Sequence, residues 1–242
     1  MKKNFLAMFL VLSFACMQVV GCGSDEKTDS SKEKTEAVDD KEADADEEEE
    51  KEEEKEEEKK IEAKRGTIAD GVYTNESFGI SFPVASNMIA CTDEQIAQTL
   101  SLGTDFIAEE GTYSAEDMEE AMQGAMYDTI LLFSDNSSNV SVIYEDMDKS
   151  QAISLDEEQY LKALANNLES MTSMGYEVGE TSTQNIGGTD FSSLTATASG
   201  FTQKYCLHQV GNYMIEFIFT YTDASQQEVE DFISTITFES PL

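Results

Sequence analysis

His208 is the only histidine in the 242 residues, and Cys206 stands two positions before it. A thiol beside an imidazole makes a nucleophile and its base, provided the two converge. Both fall in one strand-like run, Phe201–Val210 (FTQKYCLHQV), where side chains at i and i+2 stand parallel on one face. That placement favours a sheet-face histidine over a catalytic pair. Carboxylates are the other candidates. Asp146-Met147-Asp148-Lys149-Ser150 resembles the opening of a calcium loop, with Glu157 at its twelfth position. The sixth position, where such a loop turns on glycine, holds Gln151, and Glu157 reads equally as an acid capping a helix. Glu109-Glu110 and Glu116-Asp117-Glu119-Glu120 read as solvated helix faces. No serine-centred glycine elbow, phosphate loop or HExxH motif occurs. Beyond Cys22 there are three Cys or His residues, Cys91, Cys206 and His208, one short of a tetrahedral zinc site. No catalytic residue and no cofactor is expected, and metal binding stays open.

Chemistry of another kind is written at Cys22. Met1-Lys2-Lys3-Asn4 is a short positive start, and Phe5–Ala15 is almost wholly apolar, the pattern of a secretory signal peptide over 1–21. The run is short of the roughly 20 apolar residues that span a bilayer. Val19-Val20-Gly21-Cys22 resembles the bacterial lipobox, in which the cysteine sulfur is acylated with diacylglycerol and the chain is cut before it. Cys16, flanked by bulky Phe14 within the apolar run, fits worse. Gly23 follows the cysteine, so an aspartate retention signal is absent. Each buried CH₂ contributes about 0.8 kcal/mol, so several acyl chains together hold a protein to a membrane.

The elements that would position these residues begin beyond a tether. From Gly23 to Arg65 there are 21 acidic and 10 basic residues and no aromatic. Such a segment buries too little apolar surface to offset its ordering entropy. The stretch Glu47–Lys64 consists of good helix formers, so it reads as either a stiff solvated helix or a featureless acidic run. It lacks the apolar seam of a coiled coil.

Residues 66–242 have the length of one domain. There 29 acidic residues face three basic ones, Lys149, Lys162 and Lys204, out of a chain net of −35. Nucleic acid is excluded as a partner, because its binding rests on Lys and Arg neutralising phosphate. Cys91 and Cys206 could bridge in an exported protein, but two buried free thiols is the favoured reading.

Strands are expected at Val72–Thr74, Phe78–Phe82, Tyr127–Phe133, Asn139–Glu145, Tyr176–Ile186, Thr189–Ala198, Phe201–Val210 and Tyr213–Tyr221. Helices are expected from Thr92 to a stop at Gly103, over Asp117–Ala125 with a stripe of Met118, Met122 and Met126, from Leu155 towards Gly175, and over Ser225–Ile233. The stripe reads as core packing rather than soft-metal ligation. Consecutive strands joined by tight turns give an antiparallel sheet, and the helices cover it, so the class is α+β.

Tyr73-Thr74-Asn75, Phe78-Gly79-Ile80-Ser81-Phe82-Pro83, Asn139-Val140-Ser141-Val142, Gly187-Gly188-Thr189-Asp190-Phe191 and the Gly211–Tyr221 ending carry a family resemblance. The chain resembles lipoproteins of Gram-positive bacteria with a PsbP-like domain, over most of Gly71–Phe238. The resemblance implies an α/β/α sandwich and a non-enzymatic binding or assembly role. Its usual aromatic after the opening proline is replaced here by Ala85-Ser86-Asn87.

The expected protein is therefore lipid-anchored at the extracellular face of the cytoplasmic membrane and binds or assembles with an envelope partner. The alternatives are an envelope hydrolase working through carboxylates and a calcium-binding surface protein.

Overall fold

The structure is a computed structural model and describes residues 61–109, 124–135, 137–150 and 155–239. The expected signal peptide, Cys22, nearly all of the tether, and Met118 and Met122 lie outside the described residues.

Twelve strands and three helices are described. In chain order they are β1 (Thr67–Ala69), β2 (Val72–Asn75), β3 (Ile80–Pro83), β4 (Ile89–Ala90), α1 (Asp93–Glu109), β5 (Ala125–Leu132), β6 (Asn139–Asp146) and α2 (Glu157–Ser170). Then come β7 (Glu177–Val178), β8 (Ser182–Ile186), β9 (Thr189–Ala198), β10 (Phe201–Val210), β11 (Tyr213–Tyr221), α3 (Gln226–Ile233) and β12 (Thr237–Phe238). The larger sheet runs β4-β5-β6-β11-β10-β9-β7, with β8 also on β9, and the smaller runs β1-β2-β3-β12. Strands within both sheets pair antiparallel. The protein is α+β, and no described helix is long and apolar enough to cross a membrane.

The central strands β6 and β11 are buried at every position, so the large sheet is covered on both faces. Alternation assigns the faces. Ile143, Met214, Leu207 and Ile218 meet Leu161, Leu164 and Leu168 of α2 on one side. Val140, Val142, Tyr144, Ile215, Phe217 and Phe219 meet the small sheet and α3 on the other. Aromatic pairs knit that second layer: Tyr73 stacks on Phe82 at 4.3 Å and Phe78 on Tyr144 at 4.3 Å.

Both long helices open as the sequence predicts. Thr92 and Gln95 bond reciprocally at the start of α1. Asp156 and Gln159 form a full capping box for α2. Helix α1 does not stop at Gly103 but runs on to Glu109. A glycine costs a helix interior only about 1 kcal/mol. That is too little to end a helix that buries Ile96 and Thr99. The expected strand Tyr176–Ile186 is two strands, because the pairing on β9 slips by one residue between Val178↔Ala196 and Ser182↔Ser193. Helix α2 ends at Ser170, short of Gly175. Ala125, expected to close the Met-striped helix, instead opens β5.

Two glycines clasp the last strand. Gly79 and Gly187 have φ of 63° and 61°. A Cβ on Gly187 would lie 2.3 Å from the Phe238 nitrogen, and one on Gly79 1.9 Å from the Glu239 oxygen. We expect Gly187→Ala to cost about 2–3 kcal/mol, from backbone strain plus displacement of β12. Urea unfolding reads this as a lower midpoint, and an unmoved midpoint would show that β12 is not held there.

Candidate functional site

Carboxylates form four distinct settings, and each is set by the element that carries it. Glu157 is the first helical residue of α2, where the exposed N–H groups of a helix start favour an anion. Its side chain fills the place beyond Leu207 at which β9 stops pairing with β10. It accepts from the Gln209 backbone N–H at 2.9 Å and from the Ser192 hydroxyl at 2.6 Å. His208 Nδ1 lies 3.1 Å away, within ion-pair reach but off hydrogen-bond alignment. Burial of Glu157 is outweighed by these partners, chiefly His208 and then Ser192, and its pKa is lowered.

His208 therefore partners Glu157 and is wedged between Phe191 and Phe238, with ring centroids 5.1 and 5.5 Å away. Its strand neighbour Cys206 is buried, and burial pushes the thiol up to about 12, the reverse of an activated nucleophile. The Cys206/His208 pairing is not made. Cys91 and Cys206 are both free thiols.

The calcium-loop expectation is corrected by the same geometry. Asp146 binds Lys149 Nζ at 2.9 Å, a cation from within the would-be loop. It also accepts from the Asp148 N–H at 3.2 Å and Asn212 Nδ2 at 3.4 Å. Glu157, the intended twelfth ligand, is engaged at the edge of β10. Among the described residues no three Asp, Glu, Cys or His side chains are grouped to hold a metal.

Asp128 forms the third setting. It is the extra residue of a β-bulge in β5, between Tyr127↔Ile143 and Thr129↔Val142. The bulge turns its side chain inward, where it is 0 % exposed. It accepts from the Gly66 N–H at 2.8 Å, from Asn75 Nδ2 at 3.1 Å and from the Tyr73 hydroxyl. Tyr144 bonds the Tyr73 hydroxyl at 2.8 Å. Burial, then the Asp128 charge, raises the Tyr73 pKa far above the ordinary phenol range. Arg65 reaches the same place: its guanidinium bonds the Asp128 carbonyl at 2.8 Å and the Asp93 carboxylate at 2.6 Å. Lys64 and Arg65 of the acidic segment thus lie against the domain, with the Lys64 N–H on the Ser77 hydroxyl at 3.0 Å.

The fourth setting is internal. Glu145 of β6 and Glu216 of β11 are both 0 % exposed, on the sheet face beneath α2. The Tyr160 hydroxyl of α2 contacts both carboxyls, Glu216 at 2.8 Å. Burial, then the Glu216 charge, raises the Glu145 pKa well above the usual range. Burial pushes Glu216 up to about 8. Sequence reading missed both, because Glu216 sits singly inside an apolar strand and Glu145 closes one beside Asp146, where an acid reads as a strand end. The signal present was a charged residue at an inward position, Glu216 in YMIEFIFTY.

Two open hollows mark the surface. One is bounded by Lys64, Arg65, Thr74 and Ser77, the other by Gly175, Thr197, Phe201 and Asp223. Neither includes Glu145, Glu216, His208 or Cys206. The raised carboxylates thus lie in the core rather than in either hollow.

The fold is that of an α+β protein in which antiparallel sheets are layered with helices. No protein-family model matches the sequence, and no curated protein does. Solved structures similar to it include the cyanobacterial PsbP protein of Synechocystis, at TM-score 0.44 and 11% identity over 69% of this chain and 91% of that one. Another is LpqN of Mycobacterium tuberculosis, a protein involved in cell envelope biogenesis. It matches at TM-score 0.38 and 11% identity, over 67% of this chain and 84% of that one. A third, from Bacteroides thetaiotaomicron, matches at TM-score 0.35 and 16% identity over 73% and 49%. Likeness at this level carries no argument about what this chain binds.

Proposed function

We propose that this chain is a lipid-anchored surface protein whose folded domain binds or assembles with an envelope partner and performs no catalysis of its own. The observation that carries the reading is where the polar chemistry sits. Asp128, Glu145 and Glu216 are spent inside the fold, and Glu157 ties α2 to β10. The one histidine is packed between two phenylalanines. The anchor half of the reading rests on Val19-Val20-Gly21-Cys22 behind an apolar run, followed by a charged spacer. The excess of carboxylates disfavours anionic lipid and nucleic acid as direct partners and favours a partner carrying positive charge.

Fatty-acid labelling of cells making the full chain or Cys22→Ala tests the anchor. Label should enter the full chain, which partitions into detergent, and the variant should lose both. Label retained by Cys22→Ala overturns the assignment of Cys22. Cross-linking the intact protein in its membrane, followed by mass spectrometry, tests the binding half. A stoichiometric partner is expected, and a turnover activity abolished by Glu216→Gln without loss of fold would replace this reading with a carboxylate hydrolase.

A further inference from the structure

The phenol of Tyr160 has one hydrogen and contacts two carboxyl groups. It can donate to only one of them, so the other contact requires a carboxylic acid donating to the phenol oxygen. The arrangement Glu–COOH···O(Tyr)–H···⁻OOC–Glu accounts for both contacts with one carboxyl proton. No Lys, Arg or His of the described residues lies in ion-pair range of either carboxyl. Both are fully buried, so a second negative charge there would be neither solvated nor paired.

We propose that Glu145, Tyr160 and Glu216 share one proton as a clasp between α2 and the large sheet, and that releasing this proton frees the helix from the sheet. Three elements meet at the clasp. Glu145 and Glu216 come from the adjacent strands β6 and β11, whose register sets Met214 opposite Glu145 and Ile143 opposite Glu216. Tyr160 comes from the first turn of α2, one turn from the point where Glu157 ties the same helix to β10. The titratable groups on this face are few. Asp146 follows Glu145 on β6 and acts on it as a like charge. Tyr127 of β5 lies beside Ile143, and Tyr205 of β10 is held by Gln203 at 2.9 Å. Ser150 lies close to Glu145 and favours its charged form. The nearby cation, Lys149, is paired with Asp146 at 2.9 Å, and none is in ion-pair range of Glu145 or Glu216, so a doubly ionised pair would lack a direct counter-charge. Below the clasp, Leu161, Leu164 and Leu168 pack α2 against the same face.

Hydrogen exchange of the full chain between pH 5 and 9 tests this. The opening constant of α2 amides, after division by intrinsic exchange rates, should rise about tenfold per pH unit if opening releases one proton. It should exceed the opening of β6 and β11 amides. The double variant E145Q/E216Q should show no such rise. A wild-type α2 opening constant independent of pH overturns the proposal, as does one no larger than that of the β6 and β11 amides across the range, which assigns the proton to global unfolding alone. A rise that persists in the double variant also overturns it. Infrared spectroscopy of the wild type keeps the question decidable if that variant does not fold. A protonated-carboxyl carbonyl band at pH 6 that disappears in step with α2 opening is expected. Its absence at pH 6 refutes the clasp.

Discussion

Asp128→Ala is expected to destabilise the domain by about 3–5 kcal/mol, the cost typical of breaking a buried, hydrogen-bonded charge. The side chain is wholly buried and takes up hydrogens from the Gly66 N–H, Asn75 and Tyr73. Alanine would remove this acceptor from all three, leaving Tyr73 with Tyr144 and Asn75 with the Lys64 carbonyl, and a buried donor left unpaired costs about 1–3 kcal/mol. The loss spreads along the chain, because Asn75 also bonds the Lys64 carbonyl at 2.8 Å. Arg65→Ala should cost far less, about 1 kcal/mol or under, since its side chain is 42% exposed and screened by water. Urea unfolding of the two variants measures the contrast. A limited-proteolysis experiment on Asp128→Ala should also show faster cleavage between residues 61 and 66. Equal costs for the two substitutions would mean that the anchor is the surface ion pair with Asp93 and that the buried carboxylate is incidental.

Asp128 also marks where sequence reading stops. The run YDTILLF announces a strand, and a strand it is, but period-two alternation has no term for a bulge. The extra residue shifts the side on which Asp128 sits relative to the alternation of Thr129–Leu132, and the acid becomes the internal anchor. Helix starts were legible because capping is local: Thr92 with Gln95, and Asp156 with Gln159, are three residues apart. The tight turns at Gly187 and Gly211 were legible for the same reason. The partition into two sheets was not, since β12 joins β3 across more than 150 residues, Thr237↔Ser81. In sequence Glu157 reads as a helix cap or a calcium ligand. The structure shows it at a helix start, holding the edge of β10, a role that depends on where β9 happens to stop pairing. The Glu145–Tyr160–Glu216 contact joins three separate segments and leaves no local trace beyond two charged residues in apolar strands.

Those two residues set the second expectation: the domain should lose stability as the pH rises from 5 to 8. A carboxyl whose folded pKa exceeds its unfolded value stabilises fully below the unfolded value, and that contribution is lost as pH climbs through the folded one. Glu216 is pushed by burial up to about 8, from an ordinary 4.5, and Glu145 is raised in the same direction. Across that window the folded state keeps a proton that the unfolded chain has given up. Each pH unit then removes about 1.4 kcal/mol, for a loss on the order of 4 kcal/mol between pH 5 and 8. The acid side has the opposite sign. Glu157, Asp146 and Asp135 are lowered, Asp135 to about 2 by Ser137 and Ser138 acting against its burial. Their contribution is present above the unfolded carboxylate range and is lost as pH falls through their folded values. Stability should therefore peak near pH 5. Urea titrations at unit pH steps give the profile, and the E145Q/E216Q variant assigns the slope to the pair by flattening it. A wild-type stability that is level or rising from pH 5 to 8 would mean that both carboxylates ionise in place, with water reaching beneath α2.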